Sequence, residues 1–284
     1  MRPGTRVLSL LLLFCLLLLP SAGSAESLPT EGEQLIITNL QVGKADAAVL
    51  QWGDHAGMID AGSDQSFQVI QSFLEENGIH ALDFLLLTHF DRDHVGSAPA
   101  LIRSYPIAHI YLPDYESEKK FYTAVMQAVL GRDRVITVRE AMDFTEGRFT
   151  MRIFPADNPA PLLKSSSNRD NNMSLISLVS FGECRFLFTG DIEKKRIRQI
   201  LKSGDDLRAD WIKYPHHGEY EEVQREFLER VNPASAVVST SLDRPISDDL
   251  LMLLNELNIR LHSTVEGHVT TLCDGTHITV ESVQ

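Results

Sequence analysis

The chain has 284 residues, 43% of them hydrophobic and 23% charged, with 17 Gly and 12 Pro. That balance belongs to a globular protein able to bury a sizeable core, and it excludes collagenous, coiled-coil and disordered classes, while three cysteines are too few for a disulfide-stapled miniprotein or a thiolate cluster. The formal charge of −13 argues against an extended basic nucleic-acid-binding surface, because neutralising phosphates needs clustered Lys and Arg.

In chain order, Arg2 and Arg6 flank the start of an apolar run from Val7 to Leu19, and Pro20 and the small residues Ser21 to Ala25 follow it. A run of about 13 residues falls short of the ~20 that a bilayer-spanning helix needs, so 1–25 reads as a signal peptide cleaved before Glu26. The expectation is a secreted or extracytoplasmic domain over 26–284, membrane-attached only if the leader is retained as an anchor. Export permits a disulfide, and Cys184 and Cys273 are the two cysteines beyond the leader. Both sit in apolar runs where a buried free thiol is equally at home, so spacing leaves their pairing open.

Strands are expected over 35–38, 48–52, 84–87, 110–112, 177–179, 185–188, 236–238 and 278–280, where β-branched and aromatic residues concentrate. Phe67, Ile70, Phe73 and Leu74 lie on one helical face that Asn77-Gly78 closes. Further helices are expected over 117–130, 191–203, 219–230 and 247–257, and a Pro-, Ser- and Asn-rich loop over 155–172. Trp52 and Trp211 read as core. Strands and helices mixed without a flexible linker give one α/β domain.

The two halves look alike. In the first, strand, turn Gly53-Asp54 and strand lead to Asp60, and an apolar strand then ends in His89. In the second, strand, turn Gly182-Glu183 and strand lead to Asp191, and an apolar segment then ends in His216-His217. This points to an internal duplication in which a hairpin delivers an acid and the next strand a histidine.

The densest chemistry is Thr88-His89-Phe90-Asp91-Arg92-Asp93-His94-Val95-Gly96, where an apolar strand emerges into a loop. Imidazole and carboxylate donors together suit Zn²⁺, Mn²⁺ or Fe²⁺, and the absence of thiolate argues against a structural zinc knuckle. Rigid sites draw ligands from separated segments. Asp191 can offer both oxygens, although it could instead cap the following helix, and one of His216 and His217 would add an imidazole.

These motifs resemble the metallo-β-lactamase superfamily, and within it the branch related to the hydrolase domain of the competence proteins ComEC/Rec2. Val42-Gly43-Lys44-Ala45-Asp46-Ala47 is similar to that branch's Val-Gly-Gln-Gly-Asp-Ala opening, and Ile59-Asp60-Ala61-Gly62 to the first acidic motif. His89-x-Asp91-x-Asp93-His94-x-Gly96 resembles the branch's form of the His-x-His-x-Asp-His signature. Asn171-Asn172-Met173-Ser174, Thr189-Gly190-Asp191 and Pro215-His216-His217-Gly218 resemble its later motifs.

The resemblance implies an αββα sandwich built from two similar halves, with two divalent metal ions at one edge, zinc ahead of manganese. Carried over by position, His89 and Asp91 face the first ion and Asp93 and His94 the second, with Asp191 between them and His217 the remaining ligand. Asp93 and Asp191 are the expected catalytic carboxylates. Asp60, Asn172, Ser174, Lys213 and His216 are expected to support ligands or to touch substrate. The superfamily's intermediate His is replaced here by Asn171, Asn172 or Ser174, so the first site is expected to be weak. Arg244-Pro245 stands where the branch has His-Pro, and Arg244 could hold an anion, while His262 or His268 could line the site.

The reading is an exported metal-dependent hydrolase acting on a phosphoester or phosphodiester, small-molecule or oligonucleotide. A ComEC-like nuclease and a non-catalytic metal-binding module are the alternatives, and sequence leaves the oligomeric state open.

Overall fold

The structure is a computed structural model that describes residues 33–164 and 169–282. The leader expected over 1–25 lies outside the described residues.

Two mixed sheets form. The first takes β1 (Leu35–Asn39), β2 (Ala48–Trp52), β3 (His55–Ile59), β4 (Leu82–Leu86), β5 (Ile107–Pro113) and β6 (Val135–Val138). The second takes β7 (Met142–Glu146), β8 (Phe149–Phe154), β9 (Ile176–Phe181), β10 (Cys184–Phe188), β11 (Trp211–Lys213), β12 (Ser235–Val238) and β13 (Arg260–Ser263). Two late strands, β14 (Val269–Cys273) and β15 (Ile278–Ser282), return to the first sheet, whose order is β15-β14-β1-β2-β3-β4-β5-β6. The second runs β13-β12-β11-β10-β9-β8-β7.

Period-two alternation sorts the apolar side chains into three cores. Ala48, Leu50 and Trp52 of β2 and Phe84 and Leu86 of β4 face Phe149, Met151, Phe186 and Trp211 of the other sheet. The intervening Val49, Leu85 and Leu87 face outward onto Ile70, Leu74, Leu101, Ile102 and Val125. Those residues belong to helices Phe67–Glu76, Ala98–Ser104 and Lys120–Val129. In the second sheet, Leu187, Ile212 and Ala236 turn outward onto Ile197, Ile200, Phe227, Leu228 and Leu250, carried by helices Lys194–Lys202, Gln224–Val231 and Asp248–Glu256. Helix, sheet, sheet, helix is therefore the layer order, an αββα sandwich. Trp52 and Trp211 are both core, and Trp52 stacks across the sheets on Phe149 with centroids 4.0 Å apart.

Both halves repeat one unit. The antiparallel hairpin β2-β3 is followed by β4 parallel to β3, and the antiparallel hairpin β9-β10 by β11 parallel to β10. Each parallel crossover carries a helix, so the carboxyl ends of β3, β4, β10, β11 and β12 gather at one edge of the sandwich.

Gly57 explains how β3 fits against β4. Its register partner is Phe84, and a Cβ at position 57 would lie 2.2 Å from the Phe84 ring, itself packed against Trp52 and Phe149. Gly57→Ala should therefore lower unfolding stability by about 1–3 kcal/mol, the usual cost of overpacking, as measured by urea denaturation.

Several expected helices begin later than periodicity suggests. The 219–230 helix starts at Gln224 and the 191–203 helix at Lys194, after residues that the site requires in other conformations. Asp191 is accordingly not the helix cap; the extended residue Glu193 takes that position. The loop expected over 155–172 contains two short helices, Pro159–Leu163 and Arg169–Asn172. Cys184 and Cys273 are buried free thiols of the central core, and burial followed by the contact with Cys273 pushes the Cys184 thiol up to about 12. Among the described residues no helix is long and apolar enough to cross a membrane.

Candidate metal centre

The gathered strand ends place a histidine and acid cluster in one small volume. Asp60 follows β3 with φ 59°, a left-handed turn that aims its carboxylate under the β4 loop. One oxygen accepts from the Thr88 amide at 2.8 Å, and the other from the Thr88 hydroxyl at 2.8 Å and from His94 Nδ1 at 2.6 Å. Asp60 thus fixes the His94 ring and its tautomer. His89 Nδ1 lies 3.0 Å from Thr88 Oγ1 and 3.3 Å from Ser174 Oγ. His217 Nδ1 donates to the Ser239 carbonyl at 3.0 Å.

Each ring is held by Nδ1, and each leaves Nε2 buried with no aligned hydrogen-bond partner. Two of those nitrogens approach Asp191. His94 Nε2 lies 3.2 Å from Asp191 Oδ1, and His217 Nε2 lies 3.5 Å from Asp191 Oδ2 and 3.4 Å from Asp93 Oδ2. The His89 and His94 rings are 4.1 Å apart between centroids. His89, His94 and Asp191, and likewise Asp93, His94 and His217, each present ligand atoms within 4.8 Å of one another.

Burial and charge set opposed pKa shifts. Burial, then the neighbouring His94, lowers His89 to about 4. Burial disfavours charge on His94 too, but Asp191 and Asp60 outweigh it and hold the pKa well above the usual value. His217 is raised in the same way, with Asp191 and Asp93 overcoming burial. Burial would raise Asp191, yet His94 and His217 bring it well below the ordinary carboxylate range, and His217 and His94 likewise lower Asp93. Buried nitrogens without partners, facing ionised carboxylates, are a donor set that fits a divalent cation.

The left-handed backbone at His216, His217 and Gly218 explains why no regular helix starts here. A Cβ on Gly218 would press on Val238 and Ile246 at 3.1–3.3 Å, so the close approach and the positive φ of 86° both favour glycine. The turn sends neighbouring histidines in different directions. His217 enters the cluster, whereas His216 Nδ1 lies 3.5 Å from both Glu193 and Glu219, at the margin.

Other expected residues divide. Ser174 Oγ accepts from the Asp191 amide at 3.3 Å, tying the acid to His89. Asn172 Oδ1 accepts from the Arg196 amide at 2.9 Å and so holds the start of a helix. Lys213 is buried, with Nζ 2.8 Å from Asp46 Oδ1. Asp91 stands apart from the convergent donors, its Oδ1 bonded to the Lys119 ammonium. His268 Nδ1 accepts from the Gln41 amide and packs on Phe73, and His262 lies in a groove beside Cys184, both outside the cluster. Arg244 closes a tight loop with Ser241.

Sequence reasoning passed over three residues. Asp46 is buried, and its Oδ1 lies 3.8 Å from His217 Nδ1. Buried Glu193 accepts from Asn171 at 2.8 Å, and Lys119 covers Asp91. The Gly-Lys-Ala-Asp opening was the available signal for Asp46; the other two carry no motif.

Likenesses to known proteins bear on the family and the fold. The sequence model of the Metallo-beta-lactamase superfamily matches residues 41–173, which include Asp60 and the His89 to His94 loop. ComE operon protein 3 of Bacillus subtilis is 26% identical over 264 residues, covering 84% of this chain and 32% of that protein. Recombination protein 2 of Haemophilus influenzae is 25% identical over 236 residues, covering 81% and 27%. The chain thus spans about a third of the length of these curated relatives. Among solved structures, the metallo-beta-lactamase fold protein YhfI from Bacillus subtilis has a TM-score of 0.56 at 12% identity, covering 88% of this chain and all of that one. The isothiocyanate hydrolase from Delia radicum gut bacteria has a TM-score of 0.53 at 14% identity, with 88% and 100% covered. At such identities these two likenesses speak for the fold.

Proposed function

Because the chain belongs to the metallo-β-lactamase superfamily, on its ComEC/Rec2-related side, we propose that it is an exported metal-dependent hydrolase of phosphoester or phosphodiester bonds. The observation that carries this reading is the set of three buried Nε2 atoms, on His89, His94 and His217, left without hydrogen-bond partners around Asp191. His94, His217, Asp93 and Asp191 would hold a divalent ion, zinc in preference to manganese, with His89 on the other side of Asp191. Such an ion supplies an acidified water and a Lewis acid for the attacked group.

The chain's own residues do the rest. Asp60, Ser239 and the Thr88–Ser174 pair fix the three rings so that only Nε2 faces the centre. Asp93 is the carboxylate that reaches solvent, with a side chain 35% exposed against 4% for Asp191. In hydrolysis the oxygen of a water forms the new bond to phosphorus as the ester oxygen departs. Asp93 takes the proton of that water at Oδ, and a proton from solvent reaches the leaving oxygen. In this reading His216, 3.5 Å from Glu193 and Glu219, would touch substrate.

A nuclease is the second reading, favoured by similarity to a protein named for recombination. Against it, Lys44 and Arg92 are each already paired with a carboxylate, Glu219 and Asp64, so neither is free for an extended phosphate backbone.

Elemental analysis of chelator-free protein should find at least about one divalent ion per chain, and less than about half an equivalent would end the hydrolase reading. With metal present, turnover of bis-nitrophenyl phosphate and loss of that turnover in EDTA are expected. Faster cleavage of single-stranded DNA would move the assignment to the nuclease, and hydrolysis of nitrocefin alone would overturn the phosphoester preference. Export is checked separately, by N-terminal sequencing of protein recovered outside the cytoplasm and beginning at Glu26.

A further inference from the structure

The donors are unevenly shared between the two sides of Asp191. Asp93, His94 and His217 form one group of ligand atoms beside it; in the other group, His89, His94 and Asp191, His89 is the one imidazole among the described residues that the first group does not already use. Asp91, the expected additional donor there, has its Oδ1 on the ammonium of Lys119. The segment between the halves does not make up the deficit. Asn171 Nδ2 donates to Glu193 at 2.8 Å, Asn172 Oδ1 accepts from the Arg196 amide, and Ser174 Oγ binds the Asp191 amide.

Lys119 is held in place by the chain around it. Its own amide donates to Ser117 Oγ at 3.2 Å, and Ser117 Oγ donates to the buried carboxylate of Asp170 at 2.5 Å. Arg169 Nε donates to the other Asp170 oxygen at 3.3 Å. The Lys119 ammonium therefore sits between Asp91 and Asp170, 4.0 Å from Asp170 Oδ2, with its stem half exposed. An ammonium bonded to Asp91 Oδ1 competes for that carboxylate and repels a second cation at short range.

We propose that Lys119 stands in for the second metal ion: the chain holds one divalent cation, between Asp93, His94, Asp191 and His217, and the amine provides the positive charge on the His89 side. This deepens the hydrolase reading and rests on it. An anionic substrate bridging the centre would meet a metal ion on one flank and an ammonium on the other, a combination suited to a singly charged phosphodiester.

The test titrates Mn²⁺ into the metal-free full chain, with binding followed by calorimetry and by electron paramagnetic resonance. The wild type should take up about one equivalent tightly and give the spectrum of an isolated ion. Lys119→Met should bind a second equivalent at least about tenfold more tightly than wild type does, the scale on which a neighbouring group tunes metal affinity, with a spin-coupled spectrum. Asp91→Asn should leave the first equivalent's Kd unchanged. A wild-type protein that binds two coupled ions tightly overturns the proposal. So does a Lys119→Met variant whose second affinity rises less than tenfold, or an Asp91→Asn variant that loses the first ion. Protein that binds no Mn²⁺ or Zn²⁺ at saturation would instead overturn the hydrolase reading beneath it. Because Lys119 is half exposed, the Lys119→Met variant should fold, and its circular dichroism melt checks that.

Discussion

Replacing Asp191 with alanine should reduce turnover of bis-nitrophenyl phosphate by at least about 10³-fold, about 4 kcal/mol of transition-state stabilisation, and should strip bound metal from the protein. The expectation rests on position. Asp191 is the acid that His94 and His217 both approach, at 3.2 and 3.5 Å, and it is 3% exposed, so no solvent donor can replace it. Asp191 is buried against His94 and His217, so stability is followed in the same variant by its melt. A circular dichroism spectrum unchanged beside the lost activity separates the two effects. Asp60→Ala tests the same centre one step away. It removes the acceptor that sets His94 at 2.6 Å while leaving every proposed ligand in place, so metal affinity should fall only about 10–100-fold. Equal losses in the two variants would mean that Asp191 acts by holding His94 and not by holding metal. Full turnover in Asp191→Ala would refute the centre itself.

Much of this centre is legible in sequence because its parts are local. A hairpin turn, an acid at the next strand end and a histidine at the following one are short-range patterns, and the structure repeats them as β2-β3-β4 and β9-β10-β11. Alternation inside strands is local as well, which is why Trp52 and Trp211 read as core. What sequence concealed is pairing across the fold. Asp46 and Lys213 meet across 167 positions, so nothing near Lys213 names the carboxylate that its ammonium reaches. Lys119 reaches Asp91 from a turn anchored on Asp170, a relation set by tertiary packing. Helix starts were misread for a related reason. The left-handed residues His216 and His217 aim ligands and delay the helix to Gln224, and periodicity carries no record of φ.

The largest stability effect should come from the ion pair beneath the centre. Lys213 and Asp46 lie 2.8 Å apart, with side chains 6% and 8% exposed, and Asp46 also faces His217 Nδ1 at 3.8 Å. Burial would raise the Asp46 pKa, but Lys213, then His217, lower it, so the carboxylate stays ionised at neutral pH. Lys213→Met keeps the stem volume and removes the charge, leaving Asp46 desolvated without its strongest partner. The expected loss is about 3–5 kcal/mol, the cost of breaking a buried pair from one side, read from urea denaturation of the metal-free protein. Asp46→Asn should cost less, since an amide can still accept from the Lys213 ammonium. The double variant Asp46→Asn/Lys213→Met decides the cause. If the single loss reflects an unpaired buried charge, neutralising both partners should recover about 1.5–3 kcal/mol relative to additivity. Strict additivity would show that the two side chains act through packing alone. Asp46 also donates its amide to the Asp93 carbonyl and accepts from Gly62 through its own, so a shift of Asp46 in these variants should carry into the Asp93 loop. The two effects are linked: metal affinity should fall in Lys213→Met and return in part in the double variant, although neither residue is a proposed ligand.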